Sequence, residues 1–271
     1  MLEPFGFAMQ VDDTTVDIAG MWRPGTRTPL VFLHGFGSTK EDYADVVQQV
    51  HLADHAVLAF DAPGCGATAC SKLDGLSIPF LVDVADRVLA NQDVGRFYLI
   101  GHSMGGLVGL LLAERHPARV VGFVNIEGNL APEDCVFSRQ IISDFDPASV
   151  GSFEALRDRV WRSGSYSSAL FAASLEHKVH SQAVRPLCES LVHFSDHASL
   201  LTRFLDLPFP RMLMYGEQNA SLTYLPELAR HGVQLVSIDH SGHFPMYANA
   251  PAMWSGISRF VASSEDQTPA G

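Results

Sequence analysis

Ser103 is the residue whose type and setting most directly suggest chemistry. It lies in Gly101-His102-Ser103-Met104-Gly105, a G-x-S-x-G pentapeptide. Glycines two before and two after the serine remove Cβ atoms that would clash in a tight strand-to-helix turn, so the hydroxyl is pushed out above the strand ends. A free serine hydroxyl is a poor nucleophile at neutral pH and attacks a carbonyl carbon only when a base stands within hydrogen-bond reach. The chemistry to test for is therefore acyl transfer through a serine.

Such a turn needs a strand before it and a helix after it. Phe97 to Ile100 read as a buried strand, and Gly105, Gly106, Leu107, Leu110, Leu111 and Ala113 recur at helical spacing up to His116-Pro117. Upstream, residues 5 to 11 and 14 to 22 suggest an opening hairpin at a sheet edge. Leu30 to Leu33 form a short strand running into His34-Gly35-Phe36-Gly37, where Ser38 and Glu41 make a capping-box pattern for a helix to about His51. Ala56 to Phe60 give a further strand, followed by the glycine-rich stretch Asp61 to Thr68 and a helix from Ile78 to Asn91.

After the serine helix, Val120 to Ile126 form another apolar strand with Glu127 at its C-terminal end. Met212 to Tyr215 and Val233 to Ile238 supply the last strands around a helix at about Leu222 to Arg230. Ala252 to Val261 form a closing helix, and SSEDQTPAG reads as a disordered tail. This alternation predicts an α/β fold with a mostly parallel sheet and helices on both faces. From 128 to 208 the pattern turns helical and aromatic, which predicts an inserted helical cap, leaving 1–127 and 209–271 as the core.

Composition narrows the function classes. Hydrophobic residues make up 47% of the 271 and charged residues 18%, enough apolar surface for one large core and a lined pocket. The formal charge of −12, with no basic cluster to offset it, argues against nucleic acid and against anionic membrane. Cys65, Cys70, Cys135 and Cys188 lack metal-ligand spacing and read as free thiols of a reducing cytosol. No leader pattern and no long apolar run is present, so a soluble, cytoplasmic protein is expected. The twelve histidines are scattered, with no H-E-x-x-H, phosphate loop or dinucleotide fingerprint, so neither a metal nor an organic cofactor is expected.

Over nearly its whole length the chain resembles the α/β-hydrolase superfamily. The matching pieces, in order, are HGFG after the early strand, D-A-P-G-C-G-A-T after the next, GHSMGG at the elbow, and SGHFPMYANAP near the end. The resemblance implies an eight-stranded sheet with Ser103 as nucleophile and His243, in Gly242-His243-Phe244-Pro245, as the base that takes its proton. It also implies an oxyanion hole from the backbone N–H groups of Phe36 and Met104. The third member departs from the commonest pattern. Many relatives place an aspartate in a G-x-x-D turn after the later strand, where this chain reads Gly216-Glu217-Gln218-Asn219. Asparagine lacks the charge that stabilises an imidazolium. Some relatives, among them certain haloalkane dehalogenases and the zearalenone-type lactonases, carry the acid after the strand that follows the nucleophile helix. Glu127 occupies that place and is favoured, with Glu217 the rival. Asp239 lies too near the histidine turn, and Asp61 reads as a loop-bracing residue.

A serine nucleophile with this setting predicts hydrolysis of a carboxylic ester or lactone, and the acid placement suggests a bulky apolar small-molecule substrate. Trp161, Tyr166 and Phe171, with Phe153, are candidate lining residues from the cap, although helical spacing also suits them to packing. The alternatives are a carbon–carbon bond hydrolase of a diketone-type substrate and a ligand receptor on the same scaffold. Oligomeric state is not legible.

Overall fold

The computed structural model describes residues 1–144, 151–162 and 165–266. Nine strands form one mixed sheet: β1 (Glu3–Val11), β2 (Thr14–Arg23), β3 (Arg27–Leu33), β4 (His55–Phe60), β5 (Ala69–Cys70), β6 (Phe97–His102), β7 (Val120–Ile126), β8 (Arg211–Gly216) and β9 (Gln234–Ile238). Their order is β1-β2-β4-β3-β6-β7-β8-β9, with β5 against β2. The pairings from β4 and β3 through β9 are all parallel, and β1 and β2 form the antiparallel edge hairpin.

The expected eight strands thus become nine. The addition is β5: β4 pairs with β2 only over Gly20 to Arg23, which leaves backbone groups near Val16 open, and Cys70 fills that place. The central strands β4 (HAVLAF) and β6 (FYLIGH) are buried at every residue. Parallel strands with both faces covered carry such continuous runs because neither face meets water.

Helices cover the sheet. In α1 (Ile78–Asn91), Ser77 caps the first turn by accepting from the Phe80 N–H, and Pro79 tolerates the N-terminal position where no backbone donor is needed. The Gly-rich α2 (Met104–Arg115) is buried nearly all round, as its central place requires. The helix expected after HGFG is instead two 3-10 turns, Lys40–Gln48 and Val50–Leu52, beginning after Thr39. Asp61 and not a Ser38/Glu41 box holds their start: the carboxylate accepts from the Lys40 N–H at 2.9 Å and the Lys40 ammonium at 2.7 Å.

Between β7 and β8 lie a 3-10 turn (Pro132–Cys135) and α3 (Val136–Asp144), α4 (Ser152–Trp161), α5 (Tyr166–Lys178), α6 (Ser181–His197) and α7 (Leu200–Leu205). Main-chain bonds moor this segment to the glycine-rich loop: Gly66 N–H to Lys178 O and His180 N–H to Gly64 O, both 2.9 Å. The Lys178 ammonium donates to Asp42 and to the Tyr247 hydroxyl, each at 2.8 Å. The late part of the chain holds α8 (Leu225–Arg230), α9 (Pro245–Ala248) and α10 (Ala250–Asp266). The last helix runs past Val261, so the first residues of the supposed tail are helical. Residues 267–271 lie outside the described residues. Among the described residues no helix is long and apolar enough to cross a membrane, and all four cysteines are free.

Candidate active site

The site begins at the junction of β6 and α2. Ser103 is the single residue between them, with φ 51° and ψ −120°. Crowding enforces the glycines beside it: a Cβ on Gly101 would fall 2.4 Å from Gly105 O, and one on Gly105 would fall 2.2 Å from Leu33 O. Main-chain bonds fix the turn, Ser103 N–H to Ile126 O at 2.9 Å and Gly106 N–H to Ser103 O at 2.8 Å.

His243, 140 residues further along, comes from the loop between β9 and α9, and its Nε2 lies 2.9 Å from Ser103 Oγ. With the hydroxyl donating, Nε2 accepts and Nδ1 carries the ring hydrogen. His102 holds the same loop from below, its Nε2 lying 2.8 Å from the main-chain oxygen of His243. A carbonyl only accepts, so His102 is protonated on Nε2, and its buried Nδ1 has no hydrogen-bond partner. Burial, then the nearby His243, depresses the His102 pKa to about 3, so this ring stays neutral. His34 is a second neutral ring. It accepts from the Ala62 N–H at 2.8 Å and so donates through Nδ1 to Gly35 O at 2.8 Å, and burial lowers its pKa.

Glu127 is the first residue past β7 and also has φ 51°. Its side chain is 6% exposed, with Oε2 3.5 Å from His243 Nδ1. Two donors from the turn after β8 hold the carboxylate: Gly216 N–H on Oε1 at 2.6 Å and the Asn219 amide on Oε2 at 2.8 Å. The rival Glu217 points elsewhere, 45% exposed and 3.7 Å from His240 Nδ1. Asp239 is exposed, and Asp61 braces its loop by also accepting from the Ala67 N–H at 2.9 Å.

A cavity of about 440 Å³ opens above Ser103. Phe36, Phe137, Val160, Phe171, Leu191 and Phe244 give it an apolar wall. Phe171 is buried and stacks on Phe244 with ring centres 4.6 Å apart, directly beside the histidine. Trp161 and Tyr166 do not line the cavity; they are 58% and 72% exposed. Helix geometry explains the correction. The inward face of α4 carries Leu156 and Val160, and that of α5 carries Phe171, Ala172 and Leu175. Five residues separate Leu156 from Trp161 and Tyr166 from Phe171, a rotation of about 140° on a 3.6-residue helix, which turns the rings outward. Phe153 is half-buried against the core.

Phe36 lines the cavity and Met104 is the first residue of α2, where a main-chain N–H has no intrahelical acceptor. Carboxylates mark the polar wall. Asp134 accepts from the Leu130 and Ala131 N–H groups at 2.7 and 2.8 Å and from the Tyr224 hydroxyl at 2.9 Å, and burial still pushes its pKa up to about 6. Glu133 accepts from Thr223. Arg159, the one cation among the described lining residues, is paired with Asp144. The sequence left unread the roles of His102, Asp134, Phe244 and Asn219. Asn219 alone carried a signal, as the amide in the turn where a carboxylate was expected.

A model of the Alpha/beta hydrolase family matches residues 30–253. The biotin biosynthesis bifunctional protein BioHC of Teredinibacter turnerae is 26% identical over 262 residues, covering 87% of this chain and 45% of that protein. The chain spans under half the length of the curated relatives it first matches. Among solved structures, N-acyl homoserine lactonase AidH complexed with N-butanoyl homoserine superposes with a TM-score of 0.75 at 16% identity, covering 98% of this chain and all of that one. A carboxylesterase structure from the thaumarchaeon Nitrososphaera gargenis gives 0.78 at 16% identity over 96% and 100%. At these identities the structural likeness is one of fold.

Proposed function

This chain belongs to the Alpha/beta hydrolase family, and from that premise we propose that it is a serine hydrolase cleaving a carboxylic ester or lactone through an acyl-enzyme. The observation that carries the reading is the line Ser103 Oγ, His243 Nε2 at 2.9 Å, and Glu127 Oε2 at 3.5 Å from the other ring nitrogen, set at the base of an apolar cavity. His243 takes the Ser103 proton as Oγ bonds to the substrate carbonyl carbon. The oxyanion is met by the N–H groups of Phe36 and Met104, and Glu127 stabilises the imidazolium. Collapse breaks the C–O bond, and the departing alkoxide takes the proton from His243. Water then repeats the sequence on the acyl-enzyme, releasing the acid and free Ser103. With a lactone, alcohol and acid leave as one hydroxy acid.

The walls favour an uncharged substrate. Glu133 and Asp134 face the cavity, and Arg159 is already engaged with Asp144, so a carboxylate or phosphate on the substrate would meet like charge with no free Lys or Arg among the described lining residues. The mostly apolar lining suits a bulky acyl or alkyl group, and the lactonase and esterase neighbours are of the same chemical class.

The test is turnover of p-nitrophenyl esters of increasing acyl length beside a panel of lactones, with Ser103→Ala as blank. Multiple turnovers that vanish in a folded Ser103→Ala protein are expected. Cleavage of a diketone but of no ester would move the reading to carbon–carbon hydrolysis, and stoichiometric binding without turnover would make the protein a receptor.

A further inference from the structure

The carboxylate facing His243 is held by a side chain that has no charge of its own. Glu127 Oε2 meets the Asn219 amide at 2.8 Å and His243 Nδ1 at 3.5 Å. Glu127 Oε1 is occupied by the Gly216 main chain at 2.6 Å. Asn219 closes the 3-10 turn Glu217–Asn219, and this turn is itself tied to the histidine loop through Gln218 N–H to Ser241 O at 3.2 Å. The turn thus touches both parts that must stay in register, through Asn219 the acid and through Gln218 the loop carrying the base.

The chemistry of the amide matters as much as its place. An N–H donor on Oε2 fixes the last torsion of the glutamate. A lysine or arginine there would also hold the carboxylate but would neutralise the charge that an imidazolium needs. A second carboxylate there would crowd like charges, and the pair would share one proton.

Resting on the proposed Ser103, His243 and Glu127 reading, we propose that Asn219 is a positioning residue that acts through Glu127, aiming its carboxylate at His243 and keeping it a lone negative charge. Asn219 takes no proton and forms no bond to substrate in this role. Its removal reaches the reaction only by way of the glutamate.

The experiment uses the full-length protein, a p-nitrophenyl ester and the rate of inactivation by a fluorophosphonate, with folding followed by Tm. Asn219→Ala is expected to lower kcat by about 10- to 100-fold, the usual scale for a partner that orients a reacting group, with KM changed less than about twofold. In a Glu127→Gln background the same substitution is expected to cost less than about twofold, because the group it acts through is gone. Asn219→Leu keeps much of the side-chain volume without a donor and gives a second reading should the alanine variant unfold. Equal losses in the two backgrounds would overturn the proposal. A Glu127→Gln enzyme as fast as wild type would instead remove the underlying acid assignment, so the two failures are distinguishable.

Discussion

Ser103 and Glu127 occupy equivalent places, each the first residue beyond one of two adjoining parallel strands, and both have φ of 51°. The residues just before them, His102 and Ile126, are register partners across β6 and β7. A non-glycine residue in this region is uncommon and costs of order 1–3 kcal/mol, which surrounding structure must override. Here the override is visible: the Ser103 N–H donates to Ile126 O and the Glu127 N–H to Met214 O, each at 2.9 Å. Sheet register therefore brings the hydroxyl and the carboxylate to one rim, with the imidazole of His243 between them.

Glu127→Gln should lose about three to four orders of magnitude in kcat, the scale set by removing the orienting acid of a serine triad, while Glu217→Gln should stay near wild type. Both variants should remain folded, since in Glu127→Gln the amide keeps an acceptor for the Gly216 N–H and Glu217 is half-exposed. Steady-state kinetics on one p-nitrophenyl ester decides it, and the reverse ranking would place the acid in the later turn.

Acid should weaken the fold through His102. Burial holds its folded pKa at about 3, below the value of about 6.5 of a free imidazole. Between those limits the unfolded chain binds a proton that the native ring does not, so stability falls as pH drops through that window. His102→Gln keeps an N–H for the His243 carbonyl but does not titrate, so its Tm should decline less steeply from pH 6.5 to 4. An unchanged slope in a thermal scan would contradict this.

Phe171→Ala should destabilise the protein by about 3–5 kcal/mol, as truncation of a buried phenylalanine does, and should raise KM for long acyl chains by enlarging the cavity beside Phe244. Trp161→Ala and Tyr166→Ala, on the outward faces of α4 and α5, should shift stability by no more than about 0.5 kcal/mol. Denaturant midpoints of the three variants make the comparison. A large loss at either exposed ring would mean that it is covered in solution.

Charge on the substrate should be penalised. An ester ending in a free carboxylate should show kcat/KM at least about tenfold below its neutral isostere of equal length, and added salt should narrow the gap by screening the Glu133 and Asp134 wall. Equal rates for the two esters at low salt would refute the electrostatic reading of the cavity.

The sequence by itself determined what depends on near neighbours along the chain. The glycines around Ser103 announced the elbow because the crowding at Gly101 involves Gly105, four residues away. Continuous apolar runs announced β4, β6 and β7 because both sheet faces are covered. Glu127 was legible as a strand-end carboxylate, and His243 through the SGHFP setting.

Tertiary structure decided everything that required two distant segments to meet. Glu127 and Glu217 are equally acidic on paper; only the packing of β8 beside β7 turns the first toward His243 and leaves the second beside His240. The same packing makes Asn219 the partner of Glu127 across 92 positions of sequence. The ninth strand arose from unpaired backbone on β2, and the 3-10 turns after HGFG are held at their start by a carboxylate from the following strand's end. In α4 and α5 the aromatic content was plain, but its direction was not. A ring's place on a helix is fixed by rotation about the axis, and which side faces inward is settled by what the helix packs against.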